Sequence, residues 1–428
     1  MILLRIPIII GSMQKNKRTK RNSPRCGFCG KPADEVGFLI EGDALGVPVC
    51  ICSICHNTCD HIFSYKFGRE KKSFSRASSA SKFAKHSPRQ IKEFLDQHVI
   101  GQDKAKCALA ISVANHYKRI FLPKTEKNQK FKDVVLEKSN VLFVGPTGSG
   151  KTLLIKKLAQ FLDVPLAIGD ATCLTEAGYV GEDVESLITS LYRNAEYDVK
   201  RTERGIIYID EIDKIAKSRN NISITKDVSG EGVQQSLLKL IEGTVCNVSP
   251  QGGRKHPEQK FLQVDTTNIL FIVGGTFFGL EDIIKKRNGQ KMGFGVPHQI
   301  QSNSEVLPED LVHFGMIPEF IGRFPLIQHL EKLQIKDLVH VLKAPKNSLI
   351  NQYMKSFDYD HVKLSFDDEA LEEIAKIAFD LETGARGLKQ VVERVLFDYS
   401  FNVDQYKNKE IKITVQDVEQ SCKKIVSN

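Results

Sequence analysis

The sequence predicts three unequal folded parts. A small four-cysteine module comes first, then a large α/β domain built on a parallel sheet with flanking helices, then a smaller α+β domain. Three observations predict this. Six of the ten cysteines fall between Cys26 and Cys59. A short apolar run, Val141 to Val144, leads into a glycine-rich string and then a helix-periodic stretch. From about Leu326 the apolar spacing turns helical, interrupted by two short alternating runs.

Size and composition agree with this division. A chain of 428 residues is too long for one ordinary domain. Its 41% hydrophobic and 26% charged content excludes a mostly disordered or collagen-like protein. No uncharged apolar run reaches the ~18 residues that a membrane helix needs. The net charge of +9 is uneven: residues 1–90 hold 16 Lys+Arg against 6 Asp+Glu, a balance of +10 that leaves −1 for the remainder. A neutral body weighs against nucleic acid as a partner. The run Met1 to Ile10 is apolar, but basic residues follow it instead of preceding it and no small-residue cleavage site is present. It reads as a poor signal peptide, and a start at Met13 is the plainer reading. Residues 1–25 are thus expected to be a disordered extension of a cytoplasmic protein.

Residues 26–63 form the expected metal module. Cys26-Gly-Phe-Cys29 and Cys52-Ser-Ile-Cys55 are two C-x2-C pairs separated by 22 residues. Each pair can give two thiolates to one tetrahedral Zn2+, which supplies the folding free energy that so short a segment cannot obtain from a core. Cys50 and Cys59 compete with the second pair as ligands. Cys107, Cys173, Cys246 and Cys422 stand alone and read as core residues. Residues 64–88 carry the small polar string Ser75 to Ser81 and read as a flexible tether.

The large domain, 89–325, opens with an amphipathic stretch at Ile91 to Leu95, the string Val99-Ile100-Gly101-Gln102, and a helix-like run from Asp103 to Arg119. After the apolar run at Val141 come Gly145, Pro146, Thr147, Gly148, Ser149, Gly150, Lys151 and Thr152, a phosphate-binding loop of the form G-x4-G-K-[ST]. Backbone N–H groups cradle phosphates there, Lys151 reaches the β- and γ-phosphates, and the Thr152 hydroxyl binds Mg2+. Leu153 follows as a further contact. A second buried strand, Ile206 to Ile209, ends at Asp210 and Glu211. Ligands of parallel sheets bind beyond the carboxyl ends of strands. Asp210 is therefore a candidate for Mg2+ and Glu211 for polarising water. A third strand, Ile269 to Val273, ends near Thr276, a candidate for contact with the γ-phosphate or the water. In the small domain, 326–428, helical period covers Leu333 to Phe357, Asp367 to Leu381 and Gly387 to Phe401, and strands are expected at Val362 to Phe366 and Glu410 to Val415.

Taken together, these motifs resemble the ClpX family, ATP-driven AAA+ unfoldases that feed the ClpP peptidase. The resemblance runs from about Cys26 to the C-terminus. It implies a homo-hexameric ring, tagged or unfolded protein substrates and their adaptors, and no peptidase activity in the chain itself. ATP would lie between the two domains, with Val99 and Ile100 flanking the base. The resemblance assigns Tyr179 and Val180, between Gly178 and Gly181, to a pore loop that grips substrate. Lys226 to Gly232 is similar to the second pore loop, and Arg254, Lys255 and His256 to the basic loop at the pore entrance. Arg323, in Ile317-Pro-Glu-Phe-Ile-Gly-Arg-Phe-Pro325, matches the segment that carries an arginine finger. Arg386, in Thr383-Gly-Ala-Arg-Gly387, matches a second sensor arginine. A cation near a helix N-terminus opposes the helix dipole, so Arg386 is itself a functional hint.

The chain departs from the family in three places. Met292-Gly293-Phe294 stands where Ile-Gly-Phe or Leu-Gly-Phe docks the peptidase; methionine is apolar and adaptable enough to keep that reading. Cys50 is an addition, and the spacing between the cysteine pairs is long. Two rival readings are an AAA+ nucleic-acid remodeller whose zinc module binds DNA, and a non-catalytic adaptor. The uncharged aromatic loop argues against the first, and the Asp210-Glu211 pair against the second.

Overall fold

The computed structural model describes residues 25–36, 39–44, 47–56, 58–59, 86–121, 134, 136–175, 181–217, 230–248, 262–290, 305–345 and 348–422. The chain divides into two compact units, Met1–Ser79 and Ala80–Asn428.

The first unit is a hairpin with almost no core. Strands Leu39–Ala44 and Val47–Cys52 pair antiparallel, with Leu39 opposite Cys52. The short helix Ala33–Val36 precedes them. The buried cluster consists of Cys26, Val36 and Cys52, with Leu39 and Cys55 packed against it. Two of those three buried side chains are thiols, so apolar burial contributes little to this fold.

The second unit is built on a five-stranded sheet. Its order is Leu326–His329, Val141–Val144, Leu270–Gly275, Ile206–Asp210 and Leu166–Asp170, and every pairing is parallel. The three middle strands are buried along nearly their whole length, which is why they read as continuous apolar runs instead of alternating ones. Side chains alternate between two cores. Val141, Phe143, Ile206 and Tyr208 pack under helices Pro88–Asp96, Asp103–Phe121 and Lys151–Leu162. Leu142, Val144, Ile207 and Ile209 pack on the opposite face, with helices Ser186–Asn194 and Glu231–Glu242. All three central strands therefore deliver their carboxyl ends to one edge.

A third core forms the small domain. Strands Lys363–Phe366 and Glu410–Ile413 pair in parallel, among helices Ile335–Lys343, Leu349–Tyr359, Asp368–Asp380, Ala385–Val395 and Val415–Cys422. The single helical stretch expected over Leu333 to Phe357 is two helices. Pro345 lies between them, and the Ser348 side chain caps the second by accepting from Asn351 N–H at 3.2 Å. The expected small-domain start at Leu326 also moves. Leu326–His329 pairs with Val141–Val144 as an edge of the large sheet, and the change of core falls between Leu330 and Leu333.

Candidate functional site

The phosphate loop leaves the buried strand Val141–Val144 and enters the helix Lys151–Leu162. Gly148 and Gly150 adopt φ of 77° and 98°, a backbone region that side chains with a Cβ rarely enter. The helix begins at Gly150 with no side-chain cap, so its first N–H groups stay available to an anion. Lys151 is buried; its Nζ donates to the carbonyls of Gly145 at 2.6 Å and Pro146 at 3.0 Å. Burial pushes the Lys151 ammonium below its ordinary pKa. Asp210 and Asp213 oppose that shift and Arg386 adds to it.

The two halves of the expected metal site meet. Thr152 Oγ1 donates to Asp210 Oδ2 at 3.0 Å across 58 positions of sequence. The other carboxylate oxygen, Asp210 Oδ1, accepts from Glu211 N–H at 3.0 Å. Glu211 itself is exposed and left-handed, with φ 55°. These donors fit Mg2+: a hydroxyl and a carboxylate oxygen adjoin a loop suited to phosphates, and oxygen is the ligand that hard cation takes.

Asp213 was missed at the sequence level. It is buried, and its Oδ1 accepts from the Thr276 N–H at 3.0 Å. It thereby fixes Thr276 at the end of the strand Leu270–Gly275, beside the Asp210 strand. Asp213 lies two positions beyond the acidic pair in a short 3-10 turn, and nothing in its spacing distinguishes it from a helix-capping acid.

The small domain touches the loop directly. Gly384, at φ 60°, caps the helix Ala385–Val395, and Arg386 lies in that helix's first turn. Ala385 N–H donates to Gly148 O at 3.4 Å. A Cβ on Gly148 would meet the Thr383 carbonyl and the Gly384 backbone. A cleft there is lined by Thr147, Gly148, Lys332, Leu333, Phe379 and Glu382, among others. Val99 is buried with its Cγ1 facing Gly150, and Ile100 is half-buried beside it. The helices on either side of these two residues are pinned by Lys92 to Asp96 and Asp103, each at 2.8 Å, and by Lys106 to Asp96 at 2.7 Å. Leu153, by contrast, is exposed on the following helix.

Arg323 lies elsewhere. Its carbonyl accepts from Asn140 Nδ2 at 3.1 Å, at the start of the strand whose far end opens the loop. Its guanidinium is paired with Glu242, the last residue of the helix Glu231–Glu242.

In the first unit the sulfurs of Cys26, Cys29, Cys52 and Cys55 all lie within 4.8 Å of one another. Zn–S bonds of about 2.3 Å in a tetrahedron place sulfurs about 3.8 Å apart, and Cys29 and Cys52 Sγ are 3.9 Å apart. Backbone N–H groups support the set: Cys52 N–H donates to Cys26 Sγ at 3.3 Å and Cys55 N–H to Cys52 Sγ at 3.4 Å. Backbone hydrogen bonding, from Cys29 above all, pulls the Cys26 thiol down to about 6, while its hydrogen bond with Cys52 pushes the Cys55 thiol up to about 12. Cys50 and Cys59 lie outside the cluster. Of the isolated cysteines, Cys246 and Cys422 are buried as expected, but Cys107 and Cys173 are exposed. Cys107 lies on the outer face of its helix, and Cys173 ends a surface 3-10 turn.

Tyr179, Val180, Arg254, Lys255, His256 and Met292-Gly293-Phe294 lie outside the described residues, as does Lys226 to Ser229. No described helix is long and apolar enough to cross a membrane.

Three family models match the chain. Residues 24–64 match the ClpX C4-type zinc finger, residues 136–327 an AAA domain (Cdc48 subfamily), and residues 333–400 the C-terminal, D2-small domain of ClpB protein. Among curated proteins, the chain is 49% identical over 393 residues to the ATP-dependent Clp protease ATP-binding subunit ClpX of Treponema denticola. That alignment covers 90% of this chain and 91% of that protein.

Proposed function

The chain belongs to the ClpX family of Clp ATPase subunits, and from that premise we propose that it is a cytoplasmic protein unfoldase that threads substrate chains through the pore of a homo-hexameric ring and passes them to a ClpP-type peptidase. It is an ATPase with a four-cysteine zinc finger; its cofactors are ATP, Mg2+ and Zn2+. The observation that carries the proposal is the meeting of Thr152 with Asp210 beside an exposed Glu211, under a small domain that touches Gly148. A nucleotide held there adjoins both domains, so changes in its state can alter the angle between them.

Magnesium-bound ATP supplies the transferable phosphoryl group and much of the charge neutralisation when bound. The loop N–H groups and Lys151 would hold the phosphates, and Thr152 and Asp210 would hold the metal. Glu211 orients water and takes its proton. Asp213 keeps Thr276 in place at the neighbouring strand end. Arg386 reports the phosphates to the small domain, and Arg323 serves the site of an adjoining chain. Val99 and Ile100 flank the base. Tyr179 and Val180 grip the substrate, Arg254, Lys255 and His256 engage its tail, and Met292-Gly293-Phe294 docks the peptidase. None of these steps makes a covalent bond to the substrate.

The test is loss of fluorescence from a fluorescent protein carrying a C-terminal degradation tag, with ATP present. The parent chain should unfold it, and Glu211→Gln and Tyr179→Ala should not. Robust ATP turnover in the parent without unfolding would overturn the substrate reading and favour nucleic-acid remodelling, which a salt-sensitive DNA affinity would then support.

A further inference from the structure

The chain crosses from the large-domain core to the small-domain core between Leu330 and Leu333. A rotation between the domains has to be absorbed in a crossing this short. Leu330 is fixed on the large-domain side, its N–H donating to Val144 O at 2.7 Å. The next residue, Glu331, has both of its backbone groups taken by one side chain. Gln102 Nε2 donates to the Glu331 carbonyl at 2.8 Å, and the Glu331 N–H donates to Gln102 Oε1 at 3.0 Å. The primary amide pairs with this peptide group much as a neighbouring strand would. The same Nε2 donates, at 3.5 Å, to the carbonyl of Ser149 in the phosphate loop.

The Gln102 main chain is anchored so that its side chain can do this. Gly101 and Gln102 are both left-handed, with φ 67° and 60°, a conformation uncommon for a residue with a Cβ. The Gln102 carbonyl accepts the Lys106 N–H at 3.0 Å, which opens the helix Asp103–Phe121. Val99, against Gly150, lies three positions upstream.

We propose that Gln102 is a positioning residue that couples the nucleotide pocket to the crossing between the domains. Nucleotide beside Val99 and Ile100 displaces the segment that carries Gln102, and the amide moves Glu331 with it. The coupling rests on the reading of Val99 and Ile100 as base contacts; the amide pairing itself does not.

The test uses the full chain and the variants Gln102→Leu and Gln102→Glu. Hydrogen exchange read at the Glu331 amide reports the pairing, and steady-state ATP turnover gives kcat and KM. In the parent, ADP should slow Glu331 exchange. In Gln102→Leu that exchange should rise about tenfold or more and lose its response to ADP. Its kcat should fall about fivefold while KM stays within about twofold, the pattern of a lost positioning contact. Gln102→Glu keeps an acceptor for the Glu331 N–H but loses the donor; Glu331 should stay protected while kcat still falls. If the leucine variant fails to fold, this second variant decides: an unchanged kcat in Gln102→Glu, with Glu331 still protected, overturns the coupling. Unchanged Glu331 exchange in Gln102→Leu overturns the pairing. Faster exchange in that variant, with no ADP response in the parent, overturns the coupling and with it the route through Val99 and Ile100.

Discussion

Two inactive chains should recover ATP turnover when mixed, one carrying Arg323→Ala and the other Glu211→Gln. The expectation follows from where Arg323 stands. Its carbonyl is held by Asn140, which precedes the strand Val141–Val144, and the phosphate loop begins at the other end of that strand. From Asn140 to Gly145 an extended chain spans about 16 Å, and an arginine side chain covers less than about half of that. Arg323 is thus out of reach of the phosphates of its own loop, as the role proposed for it at a neighbour's site requires. Its pairing with Glu242 is no obstacle. The two side chains are 53% and 42% exposed, and exposed ion pairs are worth about 0.2–1 kcal/mol, a factor of about 1.4 to 5 in occupancy. Losing an arginine finger, in contrast, lowers turnover by about a thousandfold or more. In a random equal mixture, about a quarter of the junctions set an intact Glu211 site beside an intact Arg323, so turnover should climb toward about a quarter of the parent's. Phosphate release is measured at fixed total protein while the ratio is varied, and should peak at equal amounts. No recovery at any ratio, with mixed assemblies verified by pull-down of a tagged chain, would refute the argument from position.

Three further outcomes are expected. Cys29→Ser or a strong chelator should unfold the hairpin of the first unit, seen as zinc release together with loss of its slow-exchanging amides, because thiols make up most of its small core. Gly148→Ala should cut ATP turnover at least about tenfold, since its Cβ would strike the Thr383 carbonyl and its φ is 77°; Gly279→Ala, at φ 87° with open space around it, should cost only about 1 kcal/mol of stability and leave turnover unchanged. His116 is fully buried, and burial above all, with Arg119 and Lys138 beside it, lowers its pKa to about 3 from 6.5. The unfolded chain therefore takes up the proton first. Stability present above pH 6.5 is lost as the pH falls toward 3, by about 2 kcal/mol at pH 5. Denaturation midpoints at pH 8 and pH 5 should differ less in His116→Phe than in the parent; an equal difference would refute the assignment.

Much of the fold was legible because the signals are local. The three central strands are buried on both faces and stand out as unbroken apolar runs. Ser87 and Pro88, expected in the tether, instead cap and open the helix Pro88–Asp96, with a capping box between Ser87 and Gln90. The edge strands were not legible. Leu166–Asp170 and Leu326–His329 are only partly buried, so their residue pattern is mixed and tertiary pairing alone makes them strands. The break at Pro345 was readable but obscured by helical period on both sides.

The sequence by itself determined the phosphate loop, the acidic pair after its strand and the first cysteine pair, Cys26 and Cys29. In each, the chemistry lies within a few consecutive residues, and backbone geometry ties those residues to one another wherever the chain goes. Only the tertiary structure decided that Cys52 and Cys55, and not Cys50 or Cys59, close the sulfur cluster. It alone brought Thr152 to Asp210 across 58 positions and Gln102 to Glu331 across 229. It also moved Arg323 away from its own loop and Arg386 toward it. Contacts of that range depend on strand order and on which helix covers which face. Those are settled by burial summed over the whole domain, and no short window of residues carries that sum.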